Sequence, residues 1–251
     1  MLSDEKVRAL TGILLILTIY ILCTNTCLSL IGIIYLSISC NMEYNYNYYK
    51  SKNVLDFYMI ICLGILYFIE KYNYSLLLIC GYLIFSLNYD TDIVGVYFKC
   101  YYTMILPNRL IFLLDNRDEL YSFNFNYELF VFIMICWMTD VACYISGKLC
   151  KNPHIFNNKL GKGKTIEGIF GGILLGIIFS FFIQQFFLNK ITNEFTIILP
   201  ILSVTGDIIE SAIKRKIQIK DFGNVFPGHG GFLDRFDSVI FSAIIISYYK
   251  H

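Results

Sequence analysis

Residues 211–238 read SAIKRKIQIKDFGNVFPGHGGFLDRFDS, gathering acids, bases, a histidine and glycines inside a chain that is otherwise mostly apolar. Asp207, Glu210, Ser211 and Lys214 stand at i, i+3, i+4 and i+7, so one helical stripe would carry two carboxylates, a hydroxyl and an ammonium. Asp234, Asp237 and Ser238 repeat the spacing on a second helix. Between them, Lys220-Asp221-Phe222-Gly223 and Pro227-Gly228-His229-Gly230-Gly231 form a loop. Its glycines permit positive φ and a close approach of backbone N–H groups to phosphate oxygens. The loop is expected to cradle phosphate at the N-terminus of the helix that follows. Carboxylates beside such a loop suit an anionic substrate together with a divalent cation.

The elements that must hold these groups are membrane helices. A chain with 57% hydrophobic and only 16% charged residues does not describe a soluble domain of 251 residues. It reads as an all-α, polytopic helical bundle with about eight or nine spans of roughly 20 residues each. Spans are expected at 54–69, 75–87, 93–114, 127–149, 166–188, 196–213 and 232–249. The apolar run 10–39 is too long for a signal-peptide core and is expected to be retained. It makes either one pass or two short helices hinged at Thr24, Asn25 and Thr26. The Asn- and Tyr-rich tract 41–52 is expected to be a polar connection without a function of its own. Residues 1–130 form a hydrophobic scaffold with surface for lipid or a homodimer, and residues 131–251 carry the chemistry, within a single membrane-embedded domain.

Charge sets the orientation. Lys148, Lys151, Lys159, Lys162 and Lys164 fall in one short connection, and Lys214, Arg215, Lys216 and Lys220 in another, with two passes between them. Both basic segments therefore lie on one face, expected to be cytoplasmic, in a bacterial inner membrane or an organelle membrane. Asp140, Asp207, Asp234 and Asp237 then lie toward the cytoplasmic ends of three helices. A carboxylate at mid-helix costs about 2.5–3.5 kcal/mol on insertion scales, so the recurrence asks for a function. The competing reading is that Asp140 and Asp207 only pair with lysines to hold helices together.

Other chemistries are excluded or unsupported. Gly163-Lys164-Thr165 resembles the end of a nucleotide-binding P-loop, but Asn158 stands where the motif needs its first glycine. The nine cysteines contain no CxxC pair and read as small apolar residues. A net charge of +1 gives no reason to expect a nucleic-acid partner.

The order Ser211-x-x-Lys214-Arg215, Lys220-Asp221-x-Gly223, Pro227-Gly228-His229-Gly230-Gly231 and Asp234-Arg235-x-Asp237 resembles the signature of the phosphatidate cytidylyltransferase (CDP-diacylglycerol synthase) family, every fixed position being filled. Gly206-Asp207-x-x-Glu210-Ser211, Asp140 with Tyr144, Gly147 and Lys148, and Thr165-x-Glu167-Gly168 resemble further family motifs. Gly161-Lys162-Gly163-Lys164 departs from the family's usual Ser-Pro-Lys-Lys, and Cys143 stands where alanine is usual. The resemblance covers 140–238 well, whereas the first 130 residues match only as a generic hydrophobic half.

The resemblance implies transfer of CMP from CTP to phosphatidic acid at the lipid bilayer, giving CDP-diacylglycerol and pyrophosphate with Mg²⁺ or a similar cation, and the acids are numerous enough for a second cation. On it rest the expected roles: Asp207, Asp234, Asp237 and Asp221 as metal ligands or their neighbours; Lys214, Arg215, Lys220, Arg235 and Lys164 on phosphate; and Gly228, His229, Gly230, Gly231 and Ser211 lining the substrate phosphates. Asp140, Tyr144, Lys162, Glu167 and Glu210 are outer candidates. A CTP-dependent lipid kinase, a cytidylyltransferase for another lipid phosphate and a membrane transporter are the alternatives.

Overall fold

The computed structural model describes residues 4–50, 126–150, 154–156, 164–186 and 193–243, together with Gly95, Lys99, Leu106 and Leu110. The regular elements among them are α1 (Asp4–Cys23), α2 (Thr26–Tyr48), α3 (Tyr127–Leu149), α4 (Ile166–Phe186), α5 (Asn193–Lys216) and α6 (Leu233–Ser242). The β-pairing among the described residues is two isolated bridges, Ile155 with Thr165 and Phe226 with Gly230. Helices α1 to α5 are each long and apolar enough to cross a membrane, so the all-α, membrane-spanning class stands. The expected spans 54–69 and 75–87, most of 93–114, and Lys162 lie outside the described residues.

These residues fall into two compact units. One holds those of Met1–Asn126 with Phe222–Asp234, and the other those of Tyr127–Asp221 and Arg235–His251. The loop before α6 thus groups with the N-terminal helices rather than with residues 131–251.

In the first unit the apolar run 10–39 divides into two helices that pack on each other. Asn25 caps α2 by accepting the Cys27 N–H at 2.7 Å. Asn126 fastens the turn, donating its backbone N–H to Cys23 O at 2.8 Å and its side-chain amide to Ser29 Oγ at 2.9 Å. The tract 41–52 is not the expected connection, because α2 continues through it to Tyr48. Its asparagines and tyrosines extend the buried stripe of Ile33, Leu36, Ser37 and Cys40 through Asn41, Tyr44 and Asn45. Asn45 Nδ2 donates to Asn41 Oδ1 at 2.6 Å, and Tyr44 stacks on Tyr48 at 5.2 Å, both i to i+4.

In the second unit α3, α4 and α5 pack against one another. The buried positions of α4 are Gly168, Gly172, Gly176, Ser180 and Gln184, one on every turn. A Cβ at Gly172 would lie 2.9 Å from the Cys143 Cα, and one at Gly176 would lie 2.6 Å from Thr139 Oγ1 and 3.0 Å from Pro200 Cβ. Lipid is as apolar as leucine, so helices associate in it by close packing, and the missing side chains provide that closeness. The opposite side of α4, with Phe170, Leu174, Ile178 and Phe182 exposed, suits acyl chains.

Candidate active site

The carboxylates of the second unit converge. Asp140 on α3 accepts hydrogen bonds from Ser238 Oγ on α6 at 2.7 Å and from Ser203 Oγ on α5 at 3.4 Å. Asp207 on α5 pairs with Lys164, which lies two residues before the start of α4 at Ile166. Asp237, buried on α6, accepts the Ser238 N–H at 2.8 Å. The charges of Asp207 and Asp237 act on Asp140, and those of Asp207, Lys214 and Lys164 act on Asp237. Three helices and the segment leading into α4 thus bring three acids and two lysines within electrostatic reach, with serine hydroxyls fixing one carboxylate.

Glu210, fully buried, faces Lys214 at 3.2 Å across one turn of α5, as its i+4 spacing anticipated. Breaking a buried pair by removing one partner costs about 3–5 kcal/mol. Lys214→Ala is therefore expected to lower stability by about 3 kcal/mol, read as a fall in the thermal midpoint of the detergent-solubilised protein. The double variant Glu210→Gln/Lys214→Met should recover most of that loss.

The remaining candidates are placed differently. Ser211 is buried, while Arg215, Lys220 and Asp221 are exposed, and Arg215 Nη1 donates to Ile219 O at 3.0 Å. Arg235 is partly buried, and its carbonyl accepts from Trp137 Nε1 at 2.9 Å. Tyr144 is exposed, with Lys148 Nζ 5.7 Å from its ring centre. Glu167 holds His154, accepting from its backbone N–H at 2.9 Å and meeting its Nδ1 at 2.5 Å. Lys162 is not among the described residues.

The glycine-rich loop belongs to the first unit, and its geometry departs from the expected cradle. Phe226 and Gly230 close a tight turn, with Gly228 at φ 75° and Gly230 at φ 86°, where glycine is the residue that fits. The amides then find oxygens within the protein. His229 and Gly230 donate to Phe226 O at 2.8 and 3.2 Å. Phe222 and Gly231 donate to Asp234 Oδ2 at 2.8 and 2.9 Å, and Phe232 and Leu233 to the two oxygens of Glu43, each at 2.9 Å. The amides of 229–233 therefore hold the loop's own shape. His229 Nδ1 lies 2.7 Å from Thr11 Oγ1. Buried Asp234 acts as a staple across the loop, a role its sequence spacing did not indicate.

Glu43, Asn47 and Thr11 were missed in the sequence reading. The available signal was that Glu43 is the single acid between Glu5 and Asp56.

Among the described residues no three His, Cys, Asp or Glu side chains form a group that could hold a metal ion unaided. The all-oxygen set of Asp140, Asp207 and Asp237 nevertheless fits Mg²⁺, which is commonly bound by one or two carboxylates together with substrate phosphates rather than by a protein cage.

Fold and site together define an all-α integral membrane protein with carboxylates and lysines clustered where three of its helices meet. The chain belongs to the cytidylyltransferase family, whose model matches residues 6–251. It is 30% identical over 246 residues to the phosphatidate cytidylyltransferase of Aquifex aeolicus, spanning 97% of this chain and 88% of that one. It is 41% identical over 128 residues to that of Staphylococcus epidermidis strain RP62A, 49% and 48% of the two chains, and 36% identical over 135 residues to that of Staphylococcus aureus strain COL, 52% and 50%. The match thus spans about half the length of the staphylococcal relatives.

Proposed function

We propose that this protein is a phosphatidate cytidylyltransferase. The observation that carries the reading is the convergence of Asp140, Asp207 and Asp237 with Lys164 where α3, α5 and α6 meet. The match to the Aquifex aeolicus relative along nearly the whole chain supports it. In this reaction an oxygen of the lipid phosphate attacks the α-phosphorus of CTP, a new P–O bond forms, the α–β bond breaks and pyrophosphate leaves. Two polyanions must meet, so neutralising and positioning them matters more than activating the nucleophile. A phosphate monoester dianion needs no general base.

Asp207 and Asp237 would hold Mg²⁺, which supplies charge neutralisation on the phosphates. Lys164, which pairs with Asp207, would offer its ammonium to phosphate. Ser203 and Ser238 keep Asp140 oriented beside them. Lys220, Arg215 and Arg235 add positive charge for phosphate. The basic residues at 148–164 and 214–220 support a cytoplasmic orientation for this end of the helices, where CTP is, and the bacterial relatives support an inner membrane.

The purified protein is assayed in mixed micelles with labelled CTP, dioleoyl phosphatidic acid and Mg²⁺. The expected result is a lipid product that retains CMP, stoichiometric pyrophosphate, and loss of both on chelation. A product carrying only an added phosphate would establish a lipid kinase, and no CTP-dependent product would overturn the reading.

A further inference from the structure

We propose that Glu43 is a positioning residue for this reaction, acting through the glycine-rich loop; the inference rests on the cytidylyltransferase reading above. Glu43 lies in α2, and one helical turn later stands Asn47, so both project from the same face. Glu43 accepts the Phe232 and Leu233 amides, one on each carboxylate oxygen, at 2.9 Å. Asn47 Nδ2 donates to Phe222 O at 2.6 Å and to the Glu43 carbonyl at 2.8 Å. One turn of α2 therefore grips the loop at its beginning and at its end.

The grip is specific to a carboxylate. The amides it takes are at the start of α6, where the first N–H groups have no partner within the helix and the helix dipole favours negative charge. Hydrogen bonds from amides to an ionised acceptor are roughly twice as strong as neutral ones. The loop is also shaped to admit this side chain. A Cβ on Gly231 would collide with both Glu43 oxygens, and one on Gly223 would lie 2.8 Å from Oε1. Aromatic contacts back the same grip, with Tyr44 6.5 Å from Phe222 and Tyr35 5.6 Å from Phe232.

The loop between these anchor points carries His229 and the turn with two positive-φ glycines, and Asp234 follows directly. Because the amides of 229–233 are committed to Glu43, Asp234 and the turn, this part of the loop would serve substrate through the placement of its side chains. In Glu43→Gln a single neutral oxygen remains for the Phe232 and Leu233 amides, so one loses its acceptor, the other keeps a weaker one, and that placement drifts. A displacement of an ångström at a positioned group can cost about a hundredfold.

The test compares wild type, Glu43→Gln and Glu43→Asp in the mixed-micelle assay, with KM for CTP and for phosphatidic acid determined separately. A merely structural role would reduce the active fraction and lower apparent kcat with both KM values unchanged. Positioning predicts that KM for at least one substrate rises about tenfold or more in Glu43→Gln. Both KM values staying within about twofold of wild type, whatever happens to kcat, would overturn the proposal. If Glu43→Gln does not accumulate, Gly231→Ala displaces the same carboxylate from a chain that keeps Glu43, and the same two outcomes decide. A wild-type protein that makes no CMP-bearing lipid would instead overturn the functional reading on which this rests.

Discussion

Asp207→Asn is expected to lower turnover by at least about a hundredfold while leaving the protein folded and in the membrane. The substitution keeps the shape of the side chain and removes its charge. Two consequences for stability oppose each other. Lys164 loses its anionic partner, which favours unfolding, but Asp140 and Asp237 lose a repelling neighbour, which favours the fold. The pair is partly exposed, each side chain at 23%, so neither effect is large. Activity has no such compensation, because the proposed cation, shared with substrate phosphates, would need the charge itself. Turnover and thermal midpoint measured on one preparation read the two effects apart. Near-normal turnover would remove Asp207 from the proposed cation site.

Asp234→Ala is expected to have the second largest effect. It deprives the amides of Phe222 and Gly231 of their acceptor in a buried setting, at about 1–3 kcal/mol for each. The loop then loses the tie between its start and its end, and turnover should fall about a hundredfold. Asp234→Asn separates two roles, since both amides reach the same oxygen and an asparagine carbonyl can take that place. A loss of only about tenfold would mark Asp234 as a staple, reflecting the weaker neutral bonds. An asparagine variant as inactive as the alanine one, with an unchanged thermal midpoint, would show that the charge acts beyond the loop.

What was legible in the sequence follows from the range of the forces involved. α3 runs from Tyr127 to Leu149 as hydropathy indicated, because an apolar run bounded by polar residues is sufficient to define a span. α5 is longer than the expected 196–213 at both ends, since Glu194 and Lys214 to Lys216 form its terminal turns and hydropathy registers only the apolar middle. Glu210 with Lys214 was legible as a pair on one helical stripe. The grip of Glu43 on Leu233 was not, because it joins residues 190 positions apart and no local period encodes it. The same holds for Thr11 and His229, 218 apart. The Asn- and Tyr-rich tract misled for a related reason. Its polar side chains satisfy one another along α2, which a reading by composition scores as a surface connection.

The placement of Asp140 also dictates an order of events when the chain is made. Its hydroxyl partners, Ser203 and Ser238, belong to helices synthesised after α3, so a newly inserted α3 holds a carboxyl group in hydrocarbon before either has arrived. The glycine stripe of α4 meets α3 at Thr139 and Cys143, immediately beside that carboxyl group. The next helix to emerge is therefore the one that can shield it from lipid. Helix α4 thus packs beside the future site before either hydroxyl partner of Asp140 has been made.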